Sequence, residues 1–322
     1  MPETRGKHSV TGSLSHRHAL IYAGAVTDDA RDLTRSTRQR RRPLRILLSV
    51  VVALGVLAGA AVVADSLFAA KVERTISQLL WHDGDLASPP AVQVGGMPFS
   101  AALWSHQLTS VSVEARDVEI PGFTRVSVTS SAEKVTLSRD ELISGDFTDA
   151  PAKKVFTRLQ LDPVALGGLM TGGGTAPDGL DDLHIQGVED ISPSGGWETE
   201  AWFTATPRGV AGVDDPVEVE MRLRVWEGDV RLLPTRIVSI DGDTSRGDGN
   251  SRALDDATRD RVLAAFTLEL PADSLPLPTH PGRVYVNGGA LYIETEQYFT
   301  TISTTDLAPQ SAPLSEEERA AL

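Results

Sequence analysis

The chain has no cysteine. That excludes disulfides, thiol catalysis, cysteine-based zinc sites and acylation at a lipoprotein cysteine, so the fold must be held by packing alone. Nucleotide loops are also missing, because neither G-x-x-x-x-G-K-[ST] nor G-x-G-x-x-G occurs ahead of a helix. There is no G-x-S-x-G nucleophile elbow and no H-E-x-x-H zinc pair. Positive charge is scarce beyond the first 45 residues. Those residues hold ten of the 30 Lys and Arg and four of the 44 Asp and Glu, which leaves 20 basic against 40 acidic residues and a net charge of −20 for the remainder. A region so acidic repels nucleic acid, and any lipid it binds must be held by a shaped apolar site rather than by a general basic surface.

The residues that would carry chemistry are scattered. His82, His106, His184 and His280 occur singly, and His16 and His18 lie in a Ser/Thr/Arg-rich stretch with little apolar surface to order it. Asp241-Gly242-Asp243 with Asp248 and Asn250 only faintly resembles a calcium loop, since Arg246 stands at the turn position and no glutamate closes it. The pairs Asp181-Asp182 and Asp214-Asp215 flank turns and read as solubilising charges. The expectation is therefore a protein with no catalytic residues, no metal and no cofactor. Clustering of His106 or His184 with carboxylates in a cleft would instead favour a hydrolase.

What is present begins with Ile46–Ala64, nineteen uncharged residues preceded by Arg38, Arg40, Arg41, Arg42 and Arg45. At ~1.5 Å per residue this run reads as one membrane-spanning helix, because only a helix or a closed barrel pairs its backbone inside hydrocarbon. The arginines hold residues 1–45 in the cytoplasm as a disordered basic tail and place everything from Asp65 outside. Val62-Val63-Ala64 also has the small-residue character of a signal-peptide cleavage site, but the leader is long and the run exceeds the ~7–15 residues of such a segment, so an uncleaved anchor is favoured. Gly55 and Gly59 form G-x-x-x-G, a spacing that permits a homodimer through close helix approach.

After the span, Phe68, Val72, Ile76, Leu79 and Leu80 recur at helical spacing over Asp65–Leu80, with charged residues on the other face. Gly84, Pro89 and Pro90 end that helix. Period-two alternation follows at 92–94, 111–115, 126–129 and 217–225, and Pro121-Gly122, Glu227-Gly228 and Asn287-Gly288-Gly289 mark hairpins between such runs. One further amphipathic helix spans Ala253–Phe266, capped by Asn250 or Ser251 and placing Val262 and Phe266 on its apolar face. The predicted class is α+β: a long twisted antiparallel sheet wrapped around an amphipathic helix, over 65–306, followed by a polar tail at 307–322.

The order of a basic leader, a span, an amphipathic helix, V-x-V-G-G-M-P-F at Val92–Phe99 and the strand Leu108–Val118 resembles the LmeA-like family of actinobacterial phospholipid-binding envelope proteins. Arg283–Glu294 is similar to that family's closing hairpin. The likeness covers residues 46–296, with Met97 in place of the usual Phe and with longer loops at 171–179 and 241–250. The resemblance implies a tubular lipid-binding fold with acyl chains in its interior and no catalytic residues to transfer. Phe68, Val72, Ile76, Leu80, Val262 and Phe266 are then the expected lipid-lining residues, with Phe99, Leu103 and Trp104 at a turn that touches the bilayer. The partners expected are a phospholipid or glycolipid and a membrane, in cell-envelope lipid or lipoglycan assembly. An anchored scaffold docking an envelope protein is the alternative.

Overall fold

The computed structural model describes residues 41–120, 122–123, 125–170, 179–188, 196–240 and 254–309. The His16–His18 segment, the glycine-rich run 171–178, the calcium-like loop 241–250 and the final residues 310–322 lie outside them. The chain divides into two compact units, Met1–Gly59 and Ala60–Leu322.

The first helix among the described residues, α1, runs from Arg41 to Asp83 and is long and apolar enough to cross a membrane. Ile46–Ala64 is exposed throughout, whereas beyond Asp65 the residues Val72, Ile76 and Leu80 are almost fully buried, one above another at four-residue spacing. Four shorter α-helices follow among the described residues: α2 (Ala102–Ser105), α3 (Arg139–Ser144), α4 (Pro163–Leu169) and α5 (Asp256–Ala265). Sequence periodicity had room for α5 alone, because helices of four to seven residues complete too few turns to show a stripe. Their signals are local caps instead. Ser138 and Glu141 form a reciprocal capping box on α3, and Asp162 caps α4 ahead of Pro163. The cap of α5 is Asp255, whose carboxylate accepts from Thr258 N, not Asn250 or Ser251. The helix starts later than predicted because that carboxylate sits where the first free N–H groups appear.

The strands are β1 (Ala91–Gly95), β2 (Gln107–Glu119), β3 (Arg125–Thr136), β4 (Ala150–Leu161), β5 (Leu180–Gly187), β6 (Glu198–Pro207), β7 (Val217–Trp226), β8 (Asp229–Ile240), β9 (Leu268–Leu270), β10 (Arg283–Asn287) and β11 (Ala290–Ile302). All pairings are antiparallel, and the three predicted hairpins are present as β2–β3, β7–β8 and β10–β11. This is the predicted α+β, wrapped-sheet class. The strands divide between two sheets, however, in the orders β1-β2-β3-β4-β11-β10 and β5-β6-β7-β8-β9. The second sheet is tied to the outer strand of the first: Val284 N donates to Gly196 O at 2.8 Å and Thr199 Oγ1 to Val284 O at 3.1 Å.

Alternation builds one continuous core. On the six-stranded sheet Val111, Val113, Val128, Ala132, Val155, Leu159 and Ile293 point to the face that also buries Val72, Ile76 and Leu80. Gly145, at the end of α3, shows how closely α1 approaches: a Cβ there would lie 2.7 Å from Ile76 Cγ1, and its φ of 68° suits glycine as well.

Candidate functional site

Along α1 the chain leaves Asp65, reaches Asp83 and returns through β1. Glu73 accepts from Val94 N at 2.9 Å and Ser77 Oγ donates to Pro90 O at 2.7 Å, so β1 is held antiparallel to the helix. The return brings the turn after β1 back to Asp65, whose two carboxylate oxygens accept from Phe99 N and Ser100 N, each at 2.7 Å. The Phe68 and Phe99 rings meet edge to face at 5.3 Å, which joins two of the predicted site residues. Phe99 is buried, Leu103 half-buried, and Trp104 is 71% exposed beside Met97 at 83%. Asp65 was read from sequence only as the boundary between the apolar run and the amphipathic helix Asp65–Leu80. Its role as clamp of this turn depends on a contact 34 residues away, which no local pattern announces.

Val72, Ile76 and Leu80 sit in the packed core beneath the six-stranded sheet. Val262 on α5 and Phe266 at its C-terminal cap are fully buried, and α5 packs on β8 of the other sheet. The open volume on the inner face of the six-stranded sheet lies elsewhere. A cleft of about 390 Å³ has Val128, Ser130 and Thr157 as its floor, and its walls are the segments 275–278 and 305–309. Leu275, Leu277, Ala308 and three prolines make those walls mostly apolar.

The floor carries a polar row across an apolar face. Register places Val113, Ser130, Thr157 and Thr295 side by side, and Ser130 and Thr157 share a hydrogen bond at 3.3 Å while almost fully buried. The wall at 305–309 is fixed by Thr304, which accepts from Phe147 N at 2.9 Å and donates to Gly145 O at 3.1 Å. Leu307 and Ala308, assigned from sequence to the polar tail, are buried. Sequence reasoning missed these cleft residues, because a small hydroxyl in an inward strand position and a Leu-Pro-Leu-Pro run gain meaning only once distant segments meet.

A second cleft, about 590 Å³, lies against α4 and β5 and brings His184 together with Asp162, Asp181 and Asp182. Two of the three carboxylates are already engaged there. Asp162 accepts from Ala165 N at 2.7 Å, and Asp181 forms a two-point pair with Arg208 that holds its carboxyl below the usual range. His184 has no hydrogen bond to a carboxylate among the described residues, so the histidine–carboxylate contact that would orient a general base is not made.

An apolar cleft with a narrow polar floor, set over a sheet whose turn presents exposed Met97 and Trp104, suits an amphiphile. Residues 63–296 match the family model described as LmeA-like phospholipid-binding. The chain belongs to this family. No curated protein and no solved structure matches it significantly. As an LmeA-like protein it binds phospholipid, and within the matched span the cleft floor and the Leu-Pro-Leu-Pro wall are contributed by family-matched sequence, whereas the 305–309 wall lies beyond it.

Proposed function

We propose that this LmeA-like protein is a single-pass membrane protein whose outward domain takes phospholipid or glycolipid from the bilayer and holds it during envelope lipid or lipoglycan assembly, without catalysing a reaction. The observation that carries this reading is the apolar cleft over the polar row Ser130–Thr157 in a chain of a phospholipid-binding family. At about 390 Å³ the cleft lies near the lower end of the ~300–1,000 Å³ typical of ligand sites. It therefore takes a segment of acyl chain with its ester region rather than a whole two-chain lipid. Burial contributes ~0.8 kcal/mol per CH₂, so a short segment suffices for micromolar binding without any charged partner.

Anchoring rests on α1. Nineteen uncharged residues at 1.5 Å each span about 28 Å, close to the ~30 Å hydrocarbon core, and the flanking arginines favour a cytoplasmic N-terminus. A Cβ built at Gly55 or Gly59 would meet nothing within 4 Å, so the face that would pair two copies is open. The test is organic extraction of purified residues 65–322 followed by mass spectrometry. Stoichiometric phospholipid or glycolipid is expected, and a domain that carries none, alongside one abundant protein partner crosslinked in cells, would replace lipid binding with the scaffold reading.

A further inference from the structure

Only five lysines occur in the whole chain, and three of them, Lys134, Lys153 and Lys154, gather at one end of the six-stranded sheet. Lys154 is engaged by Glu296 at 3.0 Å and lies 5.7 Å from the Tyr298 ring. Lys134 and Lys153 are exposed and pair with no carboxylate among the described residues. They line a shallow groove of about 490 Å³ that crosses the ends of β2, β3, β4 and β11, with Thr136, Pro151, Phe299 and Thr301 among its other residues. No carboxylate lines it, although the outward part of the chain carries a net −20. Phe299 projects at 83% exposure from a left-handed backbone position at φ 54°, and Lys134 occupies another at φ 52°.

The position of this groove matters as much as its composition. Gln107, which lines it, follows α2 directly, and Arg139 Nε donates to Leu103 O at 2.9 Å, so the groove adjoins the turn that Asp65 clamps to α1. Exposed Met97, Trp104 and Phe299 and the free ammonium groups of Lys134 and Lys153 thus share the sheet end at which the apolar run finishes.

We propose that this sheet end is a docking face for the anionic phospholipid headgroups of the bilayer that holds α1, with Trp104, Met97 and Phe299 entering the interface and Lys134 and Lys153 meeting phosphates. This deepens the proposed function and rests on its reading of α1 as an anchor. Aromatic side chains settle at the headgroup level, and each lysine near an anionic surface strengthens binding about fivefold. Docking fixes the domain upright, with its cleft over the leaflet instead of free to swing.

Because the native chain has no cysteine, single-cysteine labels report position cleanly. The full chain carries a fluorophore at Val56→Cys in the span, Thr301→Cys in the groove or Asn287→Cys at the opposite end of β10–β11, and is reconstituted into phosphatidylcholine bilayers with or without phosphatidylglycerol. Brominated lipids should quench the labels at 56 and 301 and leave the one at 287 bright, since thirteen residues of β11 separate the two ends by about 40 Å. Quenching at 301 should require phosphatidylglycerol, fade at 1 M salt, where the Debye length is about 3 Å, and weaken about 25-fold in docking equilibrium in the Lys134→Gln/Lys153→Gln variant. Phe299→Asn should weaken it in the same direction. A bright label at 301 with a quenched label at 56 overturns docking alone, and a bright label at both overturns the anchor as well. Equal quenching at 301 in both lipid mixtures overturns the headgroup assignment.

Discussion

Tyr285, on β10, donates its hydroxyl to Glu294 on β11 at 2.6 Å, and the same carboxylate accepts from Arg158 on β4 at 2.8 Å with Arg283 at 3.8 Å. Glu294 is 4% exposed, so it depends on these partners for the solvation it has lost. Burial first, then the bond to Glu294, pushes the Tyr285 phenol up to about 12. A phenol pKa raised in the fold favours the neutral form there. Its contribution is complete below the unfolded value of about 10 and is lost as pH rises through about 12. Absorbance titration should show one of the four tyrosines ionising last, and Tyr285→Phe should remove that step. Glu296 has the opposite sign: its hydrogen bond with Lys154 holds the carboxyl below its usual range, so its contribution is present at neutral pH and is lost on acidification. Arg158→Ala leaves Glu294 with one bond fewer and should cost about 1–3 kcal/mol in denaturant unfolding. Gly145→Ala places a methyl against Ile76 at a left-handed backbone position, with an expected loss of about 1–3 kcal/mol in the same measurement.

Between elements, the cleft depends on two short segments outside the strands, 275–278 and the 305–309 stretch that ends the 3-10 turn Thr304–Leu307, closing on β3 and β4. Filling it from its walls should separate binding from folding. Leu277 is half-buried and Ala308 is small and buried, so Leu277→Trp and Ala308→Trp should each reduce bound phospholipid at least tenfold, with the melting temperature near that of the parent chain for Leu277→Trp and lowered by overpacking of about 1–3 kcal/mol for Ala308→Trp. Strand alternation and turn chemistry made β1, β2, β3, β7 and the three hairpins legible, because those signals are local. The division into two sheets was not, since Val284 meeting Gly196 across 88 residues leaves no trace in periodicity. The helix stripe Val72–Ile76–Leu80 was read correctly as buried, yet burial alone does not distinguish a packed spine from a ligand wall. The cleft walls were missed for the same reason that they work: prolines and small residues keep them from packing flat.

At the level of the whole chain, an apolar run, an acidic region after it and the family's phospholipid binding fit together. A protein with a net −20 beyond residue 45 gains nothing from general attraction to anionic lipid, so on this account recognition is local, in a shaped cleft and in the lysine-lined groove at one sheet end. The central claim is that lipid enters the cleft over Ser130 and Thr157. It is tested most directly by photolysing the full chain with a phospholipid that carries a diazirine in its acyl chain, then mapping adducts by mass spectrometry. Adducts at 275–278 and 305–309, abolished by Ala308→Trp, are the predicted result; adducts confined to 46–64 would contradict it.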